Sequence, residues 1–98
     1  MSAGEDLLDR LRRTTAGYSQ ADFDAGLQDL GYEFIREVRH GRMYRHALLA
    51  SHPDVDVRRR LAHVVIPKGR ELKQYVGREV LESVTVLMDY RAQQENDA

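Results

Sequence analysis

The stretch YEFIREVRHGRMYRHALLASHPDVDVRRRLAHVVIPKGRELK, from Tyr32 to Lys73, decides the fold and carries most of the basic charge. Tyr32, Phe34 and Val38 alternate with Glu33 and Glu37, the period of a half-buried strand. Ile35 shows that the second face is not purely polar. Arg39-His40-Gly41-Arg42 reads as a hairpin turn, with Met43 to Ala50 as the return strand. Ser51-His52-Pro53-Asp54 reads as a loop, because proline cannot donate to a sheet ladder. Val57 to Ile66 is predicted as a third strand, best defined from Leu61 onward, and Pro67-Lys68-Gly69 breaks it. Residues 36–73 hold ten Lys or Arg against four acids, a net charge of +6. The remaining 60 residues hold five basic and twelve acidic side chains, a net charge of −7. A chain of net charge −1 thus separates its charge strongly along its length, which points to a basic face.

Helices are predicted on either side. Leu7, Leu8 and Leu11 share one face of a short helix from about Glu5 to Arg13. Glu5 and Asp6 fall in its first turn and Arg12 and Arg13 in its last, as the helix dipole prefers. A second helix begins at Ser19, which can cap it, with Asp22 three residues on resembling a capping box. Phe23, Leu27 and Leu30 form its apolar stripe, and Gly26 suggests close packing against a sheet. Gly31 stands where a left-handed C-terminal cap belongs. The last helix, from about Gln74 to Arg91, is the clearest: Val76, Val80, Val84, Leu87 and Met88 repeat at helical spacing. Residues 92–98 read as a disordered polar tail. The order is helix, helix, three strands, helix. It predicts an α+β fold: a three-stranded antiparallel sheet with helices packed on one face. The other face is left open for binding.

Ninety-eight residues make a single domain, with residues 1–18 as an N-terminal helical extension. The absence of cysteine excludes disulfides, thiolate metal sites and cysteine nucleophiles. No apolar run approaches the length of a membrane span, and the N-terminus lacks the apolar core of a signal peptide. A cytoplasmic protein is predicted, with no membrane partner. The pI of 6.4 argues against a protein that coats nucleic acid non-specifically.

From Leu7 to Tyr90 the chain resembles the HicA toxin family. An LLDRLRR opening precedes a helix ending LGYEF; FIREV supplies an arginine; MYRH follows the turn; and VVIPKGRELKQYVGREVLESV matches the third strand, basic loop and closing helix. These are small ribonucleases of bacterial toxin–antitoxin pairs. The resemblance implies a double-stranded-RNA-binding-domain-like fold and metal-independent cleavage of mRNA. Counting back from Tyr44-Arg45-His46 puts Gly41 where the family has its catalytic histidine, with His40 beside it. Either His40 acts through a shifted turn, or catalysis is lost. In the second case the chain is an interaction module that binds a small acidic antitoxin-like protein or a second copy of itself.

The candidate catalytic residue is therefore His40, since an imidazole titrating near neutrality can serve as general base or acid. His46 is placed within the return strand and stands as the second choice. Arg36, Arg39 and Arg42 could face a phosphate, Tyr44 could stack on a base, and Lys68, Arg70 and Lys73 form a basic loop before a helix N-terminus. These seven are the candidate RNA-binding residues. In Arg58-Arg59-Arg60, read as strand, alternate side chains point to opposite sides. His40, His46, His52 and His63 lack the i, i+4 spacing of a helical zinc pair. PKGR is not a Walker motif, so neither metal nor cofactor is predicted.

Overall fold

The computed structural model describes residues 2–97. Its elements are α1 (Ala3–Arg13), α2 (Gln20–Asp29), β1 (Glu33–Val38), β2 (Gly41–Arg45), α3 (Ala47–Ala50), α4 (Val55–Arg60), β3 (His63–Pro67) and α5 (Gln74–Asp97). The strands form one antiparallel sheet in the order β1-β2-β3. Helices α2 and α5 contact the sheet, and α1 packs on those two helices. This is the expected α+β architecture.

Local chemistry sets the boundaries. Ser2 caps α1 by accepting the Glu5 N–H. The Ser19 hydroxyl accepts the Asp22 N–H, and the Asp22 carboxylate accepts the Ser19 N–H, a full capping box. The bond from the Ser19 N–H, and after it one from the Ser19 hydroxyl to the same carboxylate, lowers the Asp22 pKa. Gly31 has φ +96°, and Tyr32 N–H reaches Leu27 O at 2.9 Å, the six-to-one bond of a Schellman cap. Gly26 makes a close approach, but to a helix rather than the sheet: a Cβ there would meet the Leu7 side chain of α1 at 2.5 Å.

Three predicted boundaries move. The return strand stops at Arg45 instead of Ala50, and His46 caps α3, its Nδ1 accepting the Leu48 N–H at 3.1 Å. Ala47 to Ala50 are strong helix formers once that cap is made. The third strand starts at His63 rather than Val57, because Asp54 caps α4 through the Asp56 N–H. Arg58-Arg59-Arg60 therefore fill the last turn of a helix, where cations meet the negative end of the dipole. Arg60 also pairs with Asp56 one turn back, at 3.0 Å. Finally, α5 continues through Asp97, past the expected end at Arg91. Ala92, Gln93, Gln94 and Glu95 are compatible with helix, so the predicted tail is helical as far as the described residues go; Ala98 lies outside them.

The core lies between the sheet and α1, α2 and α5. Leu11, Phe23, Leu27, Tyr44, Ile66, Val80, Val84 and Leu87 are all essentially inaccessible. Burying such apolar side chains contributes roughly 1.5–3 kcal/mol each, an upper estimate against a compact unfolded chain. One polar chain crosses this core. The Tyr32 hydroxyl bonds to Ser83 Oγ at 2.7 Å, and Ser83 Oγ donates to Leu61 O at 2.8 Å. It fixes α5 to the ends of α2 and α4. Burial pushes the Tyr32 pKa up to about 12.

Tyr44, Val64 and Ile66 are buried under the helices, while their neighbours Met43, Val65 and His63 are more exposed. The strand period puts these on the uncovered face. Every residue of β1 except the half-buried Val38 is exposed. Its ladder is interrupted between Phe34 and Arg36, leaving Ile35 as an extra residue.

Candidate nucleic-acid interface

Val38 pairs with Gly41, so Arg39 and His40 alone form the hairpin tip. Both side chains are exposed. Lys68 N–H donates to His40 O at 3.1 Å. This bond extends the β2–β3 ladder one step past Pro67 and sets the basic loop against the tip. Two further bonds hold the loop from the other side: Gln20 N–H to Gly69 O at 3.0 Å and Leu72 N–H to Tyr18 O at 2.7 Å. The loop is thus anchored through its backbone, which leaves the side chains of Lys68, Arg70 and Lys73 in solvent. Lys68 and Lys73 line a groove of about 270 Å³ with Tyr75 at the start of α5. Tyr75 is 51 % exposed.

This end collects Arg39, His40, Lys68, Arg70 and Lys73, with Glu71 as the acid within the loop. It can hold an anionic backbone by charge and by the amides of Gln74 and Tyr75 at the first turn of α5, which carries no acid; the Val76 N–H is already bonded to Lys73 O at 3.0 Å. Two arginines from the N-terminal helix join it. Arg12 and Arg13 border a depression shared with Gln74, the first residue of α5. The sequence marked them only as C-terminal helix charges.

The other predicted residues stand elsewhere. Arg36 lies opposite Met43 on the open face. Arg42 points to the helix side, 3.4 Å from Asp24 and 3.2 Å from Glu37, with its guanidinium 5.6 Å from the Phe34 ring. Its charge is already countered. Tyr44 is fully buried and its hydroxyl donates to Asp24. Burial, then that carboxylate, raises its pKa to about 12. Tyr44 therefore cannot stack on a base without unfolding the sheet, which corrects the expectation from sequence. Tyr75 is the tyrosine exposed at this end.

The histidines divide as sharply. His46, the second catalytic candidate, is 6 % exposed. Its Nδ1 accepts from Leu48, so Nε2 carries the proton and donates to Leu30 O at 3.1 Å. Arg91 Nη2 donates to the same carbonyl at 2.7 Å. Desolvation lowers the His46 pKa. Both ring nitrogens are committed to tying the end of α2 to α3, so His46 holds the structure together. His52 packs against Tyr90 at 4.4 Å between ring centroids, and its Nδ1 accepts the Asp54 N–H. His63 is exposed on β3. His40 is the imidazole at the basic end. Gly41, beside it, has no room for a side chain: a Cβ there would collide with the Ile66 carbonyl of β3.

No protein-family model matches this chain, and neither a characterised protein nor a solved structure is significantly similar to it. Among the described residues no helix is long and apolar enough to cross a membrane.

Proposed function

We propose that this chain is a HicA-like RNA-binding domain that grips the phosphate backbone with the hairpin tip, the loop 68–73 and the first turn of α5. The observation that carries this reading is the Lys68 N–H to His40 O bond. It joins two basic segments, some thirty residues apart in sequence, into one surface. Recognition of this kind is electrostatic and follows backbone shape more than base identity. A cytoplasmic setting goes with it.

A second reading rests on His40, the imidazole among these cations. As a general base it would take the proton of a ribose 2′-hydroxyl; the 2′-oxygen would attack phosphorus to form a 2′,3′-cyclic phosphate, and the 5′-oxygen would leave, taking a proton from water to become a 5′-hydroxyl. Arg39 and Lys68 would counter the charge that builds on the phosphate. One experiment separates the readings. Purified protein is incubated with labelled RNA in EDTA, and both retention and cleavage are scored. Retention without cleavage supports the binding domain. Cleavage that His40→Ala abolishes, with affinity kept, supports the ribonuclease. Neither retention nor cleavage refutes both and leaves the interaction module.

A further inference from the structure

The sheet has two edges, and they differ. Edge β1 is blunted: it is interrupted at Ile35 and carries Glu33, Arg36 and Glu37, devices that discourage strand addition. Edge β3, His63-Val64-Val65-Ile66-Pro67, has neither a bulge nor a formal charge. Its hydrogen-bonding phase follows from the two ends of the ladder. His46 N–H donates to Ala62 O at 2.9 Å beyond one end, and Lys68 N–H to His40 O at 3.1 Å beyond the other. Bonded and non-bonded pairs alternate in an antiparallel ladder. Both ends therefore make Arg42↔Ile66 and Tyr44↔Val64 the bonded pairs within the register. The N–H and C=O groups of His63 and Val65 turn outward. Among the described residues nothing bonds to them.

That edge borders a groove of about 360 Å³ lined by His63 and Val65 of β3, Glu79 and Glu82 of α5, and Arg60, the one cation among its lining residues. Glu82 is half-exposed and meets Arg60 at 3.3 Å, while Glu79 has no ion-pair partner among the described residues. An acidic helix wall beside an open strand edge has the geometry of β-augmentation, in which main-chain bonds supply affinity and alternate side chains supply specificity.

We propose that the outer edge of β3 accepts an extended peptide whose side chains alternate basic and apolar. Its backbone pairs with His63 and Val65. Its basic side chains point toward Glu79 and Glu82, and its apolar ones continue the open face beside Val65, which is 41 % exposed. The site lies apart from the basic end and does not depend on the RNA-binding reading.

The test uses the full chain and a synthetic Val-Lys-Val-Lys-Val peptide, with Val-Glu-Val-Glu-Val as control, followed by amide exchange and chemical shifts. The lysine peptide is expected to slow exchange at the Val65 and His63 amides. Val65→Pro removes an outward N–H and leaves the β2 ladder intact, as edge strands tolerate. It is expected to weaken binding about tenfold, the upper worth of one backbone hydrogen bond, while Val65→Thr binds normally. Glu79→Lys with Glu82→Lys is expected to transfer preference to the glutamate peptide. Equal binding by a folded Val65→Pro overturns the proposal, as does protection at Phe34 and Glu37 instead. A Val65 amide already protected without peptide, and released on dilution, would make the occupant a second copy and overturn it too. Should Val65→Pro fail to fold, unchanged preference in the double glutamate variant is decisive against it.

Discussion

Replacing Lys68, Arg70 and Lys73 together by alanine tests the basic end most directly. These three and Arg39 are the cations of the tip and loop, and all four side chains are exposed. If each neutralises one phosphate, each contributes about 0.7 to 0.9 to the slope of log affinity against log salt. The tip and loop should then contribute about −3 to the wild-type slope, of which the triple variant should lose about 2 to 3 units. Affinity at low salt should fall most, because counterion release is worth most there. Stability should change little, within about 0.5 kcal/mol per exposed site, since the anchors of the loop are the backbone bonds of Gly69 and Leu72. Fluorescence anisotropy on a labelled RNA hairpin, from about 50 to about 200 mM salt, measures both quantities. An unchanged slope in a folded triple variant would refute the assignment of the loop. So would a comparable loss from Arg36→Ala, which alters only the open face, or from Arg42→Ala, whose charge is spent on Asp24 and Glu37.

Three further outcomes concern the scaffold. His46 has a folded pKa below its unfolded value, so the unfolded chain binds more protons. Its contribution is complete above about pH 6.5 and is lost as pH falls through that value toward the lowered one. Urea melts at pH 7.5 and pH 5 should show this slope in the wild type and a reduced slope in His46→Asn; parallel slopes would exclude His46 as the source. Ser83→Ala orphans the Tyr32 hydroxyl and the Leu61 carbonyl and should cost about 2–3 kcal/mol, against about 1 for Tyr32→Phe. The double variant should cost less than the sum, and strict additivity in denaturation would deny the chain of bonds. Gly41→Ala should cost about 1–3 kcal/mol by overpacking, with faster amide exchange along the β2–β3 ladder; a neutral result would contradict the closed position.

Local signals were legible. The stripe of α5, the Ser19–Asp22 box and the Gly31 cap each act within a few residues, and all stand in the structure. The first strand forms as well, but with both faces exposed and an extra residue at Ile35 in place of a half-buried alternation. The short helices were not legible, because β-branched and basic residues around Val57 suit a strand until Asp54 caps them. Tyr44 shows a different limit. Its strand period marks two faces, but only the packing of α2 decides which one is dark. Arg42 shares that limit, since its partner Asp24 lies eighteen residues upstream. The union of the tip with the loop depends on a register that no local pattern states.

Gly41 bears on any catalytic reading of this end. The resemblance to HicA places a histidine at that position, yet here the strand pairs with Pro67 so closely that a Cβ would strike the Ile66 carbonyl. A histidine there would separate β2 from β3 before it presented an imidazole to anything. The imidazole at the tip belongs to His40, one residue earlier and outside the ladder. That position limits what the imidazole can do. A capping residue is oriented by its neighbours, as His46 is by Leu30 and Leu48. Among the described residues His40 is bound only through its backbone carbonyl, so RNA itself would have to fix the ring. Phosphate contacts from Lys68 and Lys73 would come first and chemistry second. Loss of those lysines should therefore lower any cleavage at saturating RNA as well as the affinity. A cleavage rate that stays constant at saturation would show that His40 is oriented without them.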